Sequence, residues 1–183
     1  MEALEVHPDI DEWILVVRAG EEETASELTG DFPWKVTAGG SERKDSVLRG
    51  LQAASGEIVL IQDGARPLIR QEYISRCLAA MEEAPGATVA VPSKDTVKLG
   101  DERGFVKETT RRERTWIVQT PQCFARQVLL AAHERFGEMP GITDDCMLLE
   151  LAGEPVRLVK GDYANIKITT PEDLELAEVF LRQ

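Results

Sequence analysis

Short apolar runs rich in β-branched residues recur along this chain, and between them the apolar positions switch to helical spacing. WILVV (13–17), EIVLI (57–61) and ATVAVPS (87–93) are such runs, and KVTAGG (35–40) is a second extended piece after the first. Between them SERKDSVLRGLQAASG sets Val47, Leu48, Leu51 and Ala54 on one helical stripe, with Gly56 as a stop signal. RPLIRQEYISRCLAAMEEAPG does the same with Tyr73, Ile74, Cys77, Leu78 and Met81, and ends at Pro85 and Gly86. Strand and helix in alternation predict an open α/β fold: a mostly parallel sheet with right-handed crossovers, ligands lying beyond the carboxyl ends of the strands. The unbroken apolar runs, EIVLI above all, predict strands covered on both faces.

One stretch departs from this rhythm. KDTVKLGDERGFVKETT (94–110) reads as a β-hairpin turned through Gly100 to Gly104, too polar to lie wholly in a core and suited to an arm that reaches a partner subunit. WIVQTPQCF (116–124) follows it. After that come a helix in RQVLLAAHERFGEM, another in ITDDCMLLELAGE, strands in PVRLVKGD and NIKIT, and a final helix in PEDLELAEVFLRQ. TTPEDL carries a strong helix start, with Thr170 as N-cap, Pro171 at the first position and Asp173 in the capping box.

Composition narrows the function classes. At 183 residues the chain suits one domain with a single core, and 43% apolar with 30% charged residues is ordinary globular usage. A net charge of −12 repels nucleic acid over most of the surface, so a phosphate ligand needs a local basic cluster. No apolar run is long enough for a membrane span and no signal peptide opens the sequence, which makes a cytoplasmic protein the expectation. Cys77, Cys123 and Cys146 have neither disulfide nor zinc spacing and read as reduced core fillers. The two histidines are too few and too isolated for a nucleophilic triad or a zinc site: His7 lies near the terminus, and His133 reads as a surface or half-buried helix residue. There is no P-loop and no G-x-G-x-x-G fingerprint.

The polar residues at strand ends are the candidates for chemistry. In IQDGARP, Asp63 can accept from ribose hydroxyls, Gly64 permits close backbone approach, and Arg66 can fork onto a phosphate. The plainer reading is a strand-end Asp capping its turn and pairing with Arg66. GGSERKDSV offers Gly39, Gly40, Arg43 and Ser46 where a helix opens and free N–H groups favour an anion or a base edge, although a turn with an N-cap explains it nearly as well. Lys167, in an otherwise apolar segment, must find water or an anion. Thr143, Asp144 and Asp145 form either an N-cap cluster or a substrate-facing hydroxyl with carboxylates. Arg111, Arg112 and Arg114 are the one dense basic run, by default a solvated edge.

GGSERKDSVLRGL, IQDGARPLI, PSKDTVK, WIVQTPQCF, ITDDCMLLE and GDYANIKITTPEDLELAE, in that order, resemble the 2-C-methyl-D-erythritol 4-phosphate cytidylyltransferase family of isoprenoid biosynthesis, and the likeness covers essentially the whole chain. The resemblance implies a Rossmann-like three-layer sandwich formed by one nucleotidyltransferase-like domain over 1–183. It also implies a protruding β-arm, 94–115, that makes a homodimer. The implied reaction joins CTP to methylerythritol phosphate and releases pyrophosphate, with Mg²⁺ bound mainly through the CTP phosphates. By resemblance Gly39, Gly40 and Ser46 belong near the cytosine, Asp63 and Gly64 near the ribose, and Arg66, Thr143 and Lys167 at the acceptor phosphate. Thr96 and Arg112 would reach the acceptor in the neighbouring subunit.

The likeness has gaps. Members of the family begin with a buried strand and a glycine-rich loop bearing basic residues, whereas Met1 aligns in the helix before the second strand. The expectation is therefore an N-terminally incomplete domain whose chain alone is inactive. Ser41, Gln62 and Arg111 stand where an acidic residue, a histidine and an aspartate are common in the family. Two rival readings accompany this one: a cytidylyltransferase for another polyol phosphate such as ribitol 5-phosphate, and a non-catalytic nucleotide-binding dimer.

Overall fold

A computed structural model of the chain describes residues 2–182. Its elements follow the predicted alternation. A short helix α1 (Glu2–Glu5) leads to β1 (Trp13–Val17), α2 (Glu22–Thr29), β2 (Trp34–Ala38), α3 (Arg43–Ala53), β3 (Ile58–Ile61), α4 (Gln71–Ala80) and β4 (Gly86–Pro92). The hairpin is β5 (Lys98–Gly100) and β6 (Val106–Thr109), and a single 3-10 turn at Arg112–Arg114 returns the chain to β7 (Trp116–Ala125). Then come α5 (Arg126–Phe136), α6 (Asp145–Ala152), β8 (Val156–Lys160) and α7 (Pro171–Leu181). Helix α7 starts as its sequence predicts, with Thr170 and Asp173 in a reciprocal capping box and Pro171 at its head. No described helix is long and apolar enough to cross a membrane.

The strands fall into three hydrogen-bonded groups. β1 and β2 pair in parallel, four strands run in the order β3-β7-β4-β8, and β5-β6 form the separate arm. In the four-stranded group β4 and β8 are parallel while β7 runs antiparallel to both β3 and β4. β1, β2 and β3 share a direction. Their starting ends meet where Glu12 holds Lys35 and the Ser55 backbone, and beyond their far ends Arg43 reaches Asp63. The layout is thus a mostly parallel α/β sandwich with one reversed strand and a protruding arm.

Two apolar clusters seal the two faces of the four-stranded group. Ile69, Tyr73, Ile74 and Cys77 close over Ala87, Val89 and Cys123 on the α4 face, and Leu51, Leu129, Leu148 and Leu149 close over Phe124 on the other. All three cysteines are free and buried, as fillers should be.

Two local expectations are corrected. NIKIT forms no strand: its one backbone bond to the strand-end loops is Ile168 N–H to the Ala65 carbonyl, 2.8 Å, so it crosses the end of the sheet without joining the ladder. EIVLI is a strand but is not sealed on both sides. β3 is an edge strand, Ile58 is 46% exposed, and the rest of the strand is half-buried.

Candidate functional site

The carboxyl ends of β1, β2 and β3 lead into loops that gather one charged cluster. Asp63 lies just past β3, its backbone N–H donating to Thr120 Oγ1 at 3.1 Å. Its carboxylate holds two cations at once: Arg43 Nε at 3.2 Å on one oxygen and Lys167 Nζ at 2.9 Å on the other. Burial works against its charge, but the Lys167 bond and the Arg43 charge outweigh it and hold Asp63 below the usual carboxylate range. Arg43 continues the chain of charges, donating from Nη1 to Asp145 at 2.7 Å. Burial disfavours the guanidinium charge, yet Asp145 and Asp63 together raise its pKa.

Arg66 does not pair with Asp63, contrary to the plainer reading of IQDGARP. Its Nη1 donates to the Asn165 carbonyl at 2.8 Å and its Nη2 to the Val118 carbonyl at 3.4 Å, while buried Nε has no partner among the described residues. Burial lowers its pKa and the Asp63 charge opposes that shift. Bonds to two carbonyls, which carry no formal charge, leave its positive charge uncancelled for an incoming anion.

The glycine loop braces the head of α3. Ser46 Oγ accepts from the Gly40 N–H at 3.1 Å and donates to the Glu42 carbonyl at 3.1 Å, and the Gly39 N–H returns to the Val17 carbonyl at 2.7 Å. A Cβ on Gly40 would lie 2.2 Å from the Asp45 Cβ, so the loop closes against the helix only because that position is glycine. Gly64 is exposed and a Cβ there would touch nothing in the protein, so its want of a side chain leaves open space at the mouth. Thr143 is exposed just before Asp144. Asp144 is the N-cap of α6, accepting from the Met147 N–H at 3.1 Å, so the cap lies one residue beyond Thr143.

Thr96 and Arg112 meet at the base of the arm, Arg112 Nη2 donating to Thr96 Oγ1 at 3.0 Å, and both are exposed. The fold therefore makes two groups of the residues expected at the site. Asp63 and Lys167 are bonded directly, with Arg66 beside them and the Gly40–Ser46 loop at the head of the helix that carries Arg43. Thr96 and Arg112 form a second group on the arm.

Four further residues of the network have no role in what the family resemblance implies, or are read differently in the sequence. Arg43 is the hub of the network, and a basic residue in the first turn of a helix, against the dipole, was the available sign of an acidic partner. Asp145 is buried, with Arg43 as its ion-pair partner, and His133 is buried rather than at the surface, its Nε2 3.8 Å from Asp145. Gln122 is buried too, donating to Asp144 and Thr88, at 3.2 Å each, and so ties β7 to the head of α6.

The whole chain, residues 1–183, matches the family model described as IspD: 2-C-methyl-D-erythritol 4-phosphate cytidylyltransferase. A 2-C-methyl-D-erythritol 4-phosphate cytidylyltransferase of Desulforamulus reducens is 46% identical, aligned with 100% of this chain and 82% of its own length. The protein of that description from Caldanaerobacter subterraneus subsp. tengcongensis is 42% identical over 94% of this chain and 81% of its own. Among solved structures, the 4-diphosphocytidyl-2C-methyl-D-erythritol synthase of Anaerococcus prevotii superposes with a TM-score of 0.91 at 33% identity, covering 100% of this chain and 83% of that one. The 2-C-methyl-D-erythritol 4-phosphate cytidylyltransferase of Thermus thermophilus gives 0.82 at 33%, covering 98% and 86%.

Proposed function

This chain belongs to the 2-C-methyl-D-erythritol 4-phosphate cytidylyltransferase family, and we propose that the Asp63 cluster is where it transfers a cytidylyl group from CTP to 2-C-methyl-D-erythritol 4-phosphate in isoprenoid biosynthesis. An oxygen of the acceptor phosphate attacks the α-phosphorus of CTP. The new P–O bond forms as the bond to the β-phosphate bridging oxygen breaks, and pyrophosphate leaves with the electron pair. Such a displacement needs aligned partners and positive charge but no covalent intermediate.

The observation that carries the reading is the sharing of Asp63 between Arg43 and Lys167 at the carboxyl end of a strand. Lys167 is 43% exposed, so a phosphate can take it over from Asp63 without opening the core. Freed of Lys167, the Asp63 carboxylate accepts from ribose hydroxyls beside the bare backbone of Gly64. Arg66 and Thr143 complete the acceptor-phosphate side, and Gly39, Gly40 and Ser46 border the base. Mg²⁺ supplies charge neutralisation on the triphosphate oxygens when bound. Both Asp63 oxygens already hold cations, so Mg²⁺ would be carried mainly by the CTP phosphates.

Thr96 and Arg112 serve the acceptor from the other subunit of a homodimer joined through the arm, 94–115. In support, the two-stranded arm projects Leu99, Phe105 and Val106 outward, with Phe105 65% exposed, and a lone ribbon of this kind gains stability by docking.

The test is pyrophosphate release from CTP, Mg²⁺ and 2-C-methyl-D-erythritol 4-phosphate, beside calorimetric binding of each substrate. In an active form that carries the family's N-terminal segment, turnover should fall about tenfold or more in Lys167→Ala. Undiminished turnover would remove Lys167 from the site, and failure to bind either substrate would overturn the assignment.

A further inference from the structure

Residues 161–167, between β8 and α7, form neither strand nor helix, yet they bring Lys167 onto Asp63. Their backbone does little to hold them there. The Asn165 and Ile166 N–H groups donate within the segment, to the Asp162 carbonyl at 3.1 Å and the Ala164 carbonyl at 2.8 Å. Backbone bonds to the body of the fold come at the two ends, from the Gly161 N–H to the Ala90 carbonyl at 2.9 Å and from the Ile168 N–H to the Ala65 carbonyl. Between those ends side chains do the fastening.

Asn165 is fully buried, and its Nδ2 donates to the Thr120 carbonyl at 2.8 Å and to Gln119 Oε1 at 3.3 Å. Gln119, also buried, donates from Nε2 to the Asp162 carbonyl at 2.9 Å. A carbonyl oxygen can only accept, so both amides are fixed in orientation: each turns its nitrogen to backbone, and Gln119 turns its oxygen to Asn165. Gly161 lets the pair close, since a Cβ there would lie 2.5 Å from Gln119 Oε1 and 2.5 Å from a Val89 methyl. The exposed Tyr163 adds an outer bond, from its hydroxyl to the Pro92 carbonyl.

The same clamp reaches the other charged residues of the cluster. The Thr120 hydroxyl accepts from the Asp63 N–H, and the Asn165 carbonyl accepts from Arg66 Nη1. An apolar side chain could fill the space of Asn165 without the cost of burying an amide, so what the amide adds is a defined geometry. We propose, on the strength of the reaction assigned to the Asp63 cluster, that Asn165 clamped by Gln119 is a positioning residue for the transfer, setting Arg66 and Lys167 at the spacing that receives the acceptor phosphate. The amide is sealed from solvent and acts through those two cations. A displacement of about 1 Å in such a pair is enough to cost about a hundredfold in rate.

The test uses an active form that carries the family's N-terminal segment, with Asn165→Ala and the milder Gln119→Met, which keeps the side-chain length and leaves Asn165 its Thr120 bond. KM for 2-C-methyl-D-erythritol 4-phosphate should rise about tenfold in Asn165→Ala and about threefold in Gln119→Met, while KM for CTP changes less than about twofold. In a Lys167→Ala background the loss of kcat/KM caused by Asn165→Ala should shrink by about threefold or more, because one of the two residues it positions is gone. Amide exchange at Ile168 should quicken in both variants. A side chain with a merely structural role would lower the urea midpoint and leave the acceptor KM alone. An unchanged acceptor KM in both variants therefore overturns the proposal, as do equal changes in the two KM values or losses that simply multiply in the double variant. Should Asn165→Ala fail to fold, Gln119→Met decides by the same KM comparison. A wild-type form that neither binds nor turns over the acceptor would sink the reaction and the positioning role together, whereas an active wild type with an indifferent Asn165 sinks the positioning role alone.

Discussion

β4 and β3 are both short apolar strands, but they have opposite environments. β4 lies between β7 and β8 with α4 on one face and α6 on the other, and Ala87, Val89 and Ala90 are fully buried. β3 has β7 on one side and, among the described residues, no strand on the other, and Ile58 is 46% exposed. An apolar run therefore fixes that a strand forms, while its neighbours fix whether it is sealed. A pair of truncations sharpens the contrast. Phe124→Ala removes a fully buried ring from the sealed half and should cost about 3–5 kcal/mol in urea unfolding, whereas Ile58→Ala on the open edge should cost less than about 1 kcal/mol. Equal costs would mean that the free edge of β3 is covered in solution.

The two halves are joined by charge as well as by the backbone. Arg43, at the head of α3 beside the open half, bonds Asp63 at the end of β3 and Asp145 in α6, which packs on the sealed half. Arg43→Met keeps the length of the side chain but leaves buried Asp145 without a cation. Removing one partner of a fully buried pair costs about 3–5 kcal/mol; with Arg43 36% exposed, water softens this to about 2–3 kcal/mol. The double variant Arg43→Met with Asp145→Asn should recover part of the loss, because the stranded charge is then gone. A single variant as stable as the wild type would mean that the halves are held together by packing alone.

The parts legible in the sequence were those written in local chemistry. Helix α7 starts where its Thr-Pro-x-Asp signal puts it, the hairpin turns between Gly100 and Gly104, and the stripe of Tyr73, Ile74 and Cys77 is buried. The site was legible where a polar residue had no business in an apolar context: Asp63 after β3, and Lys167 in NIKIT. What stayed hidden was partnership across the fold. Asp63 and Arg66 are three residues apart, yet Asp63 bonds Lys167, 104 residues away, and Arg43 bonds Asp145, 102 away. No local rule ranks such pairs. His133 was misplaced for a related reason: helical spacing cannot tell a solvent face from one covered by α6.

The smallest effect concerns the starting ends of β1, β2 and β3, away from the charged cluster. Glu12, just before β1, accepts from Lys35 of β2 and from the Ser55 N–H, at 2.8 Å, just ahead of β3, so one carboxylate gathers the starts of three strands. The Lys35 bond first, and the Ser55 backbone bond next, lower its pKa from 4.5 to about 2. A carboxyl depressed in the folded state adds stability that is fully present above its unfolded value, about 4.3, and is lost as pH falls toward the folded value. Lys35 is 59% exposed and screened by water, which limits the contribution to about 0.5–1 kcal/mol. Glu12→Gln should accordingly be less stable than the wild type by that amount at pH 7, and the difference should close between about pH 4.5 and 2. Parallel urea titrations across that range read it directly. A gap unchanged at pH 2 would mean that Glu12 acts through its shape and hydrogen bonds, not its charge, and that the open half needs no ionic clamp to keep its three strands in line.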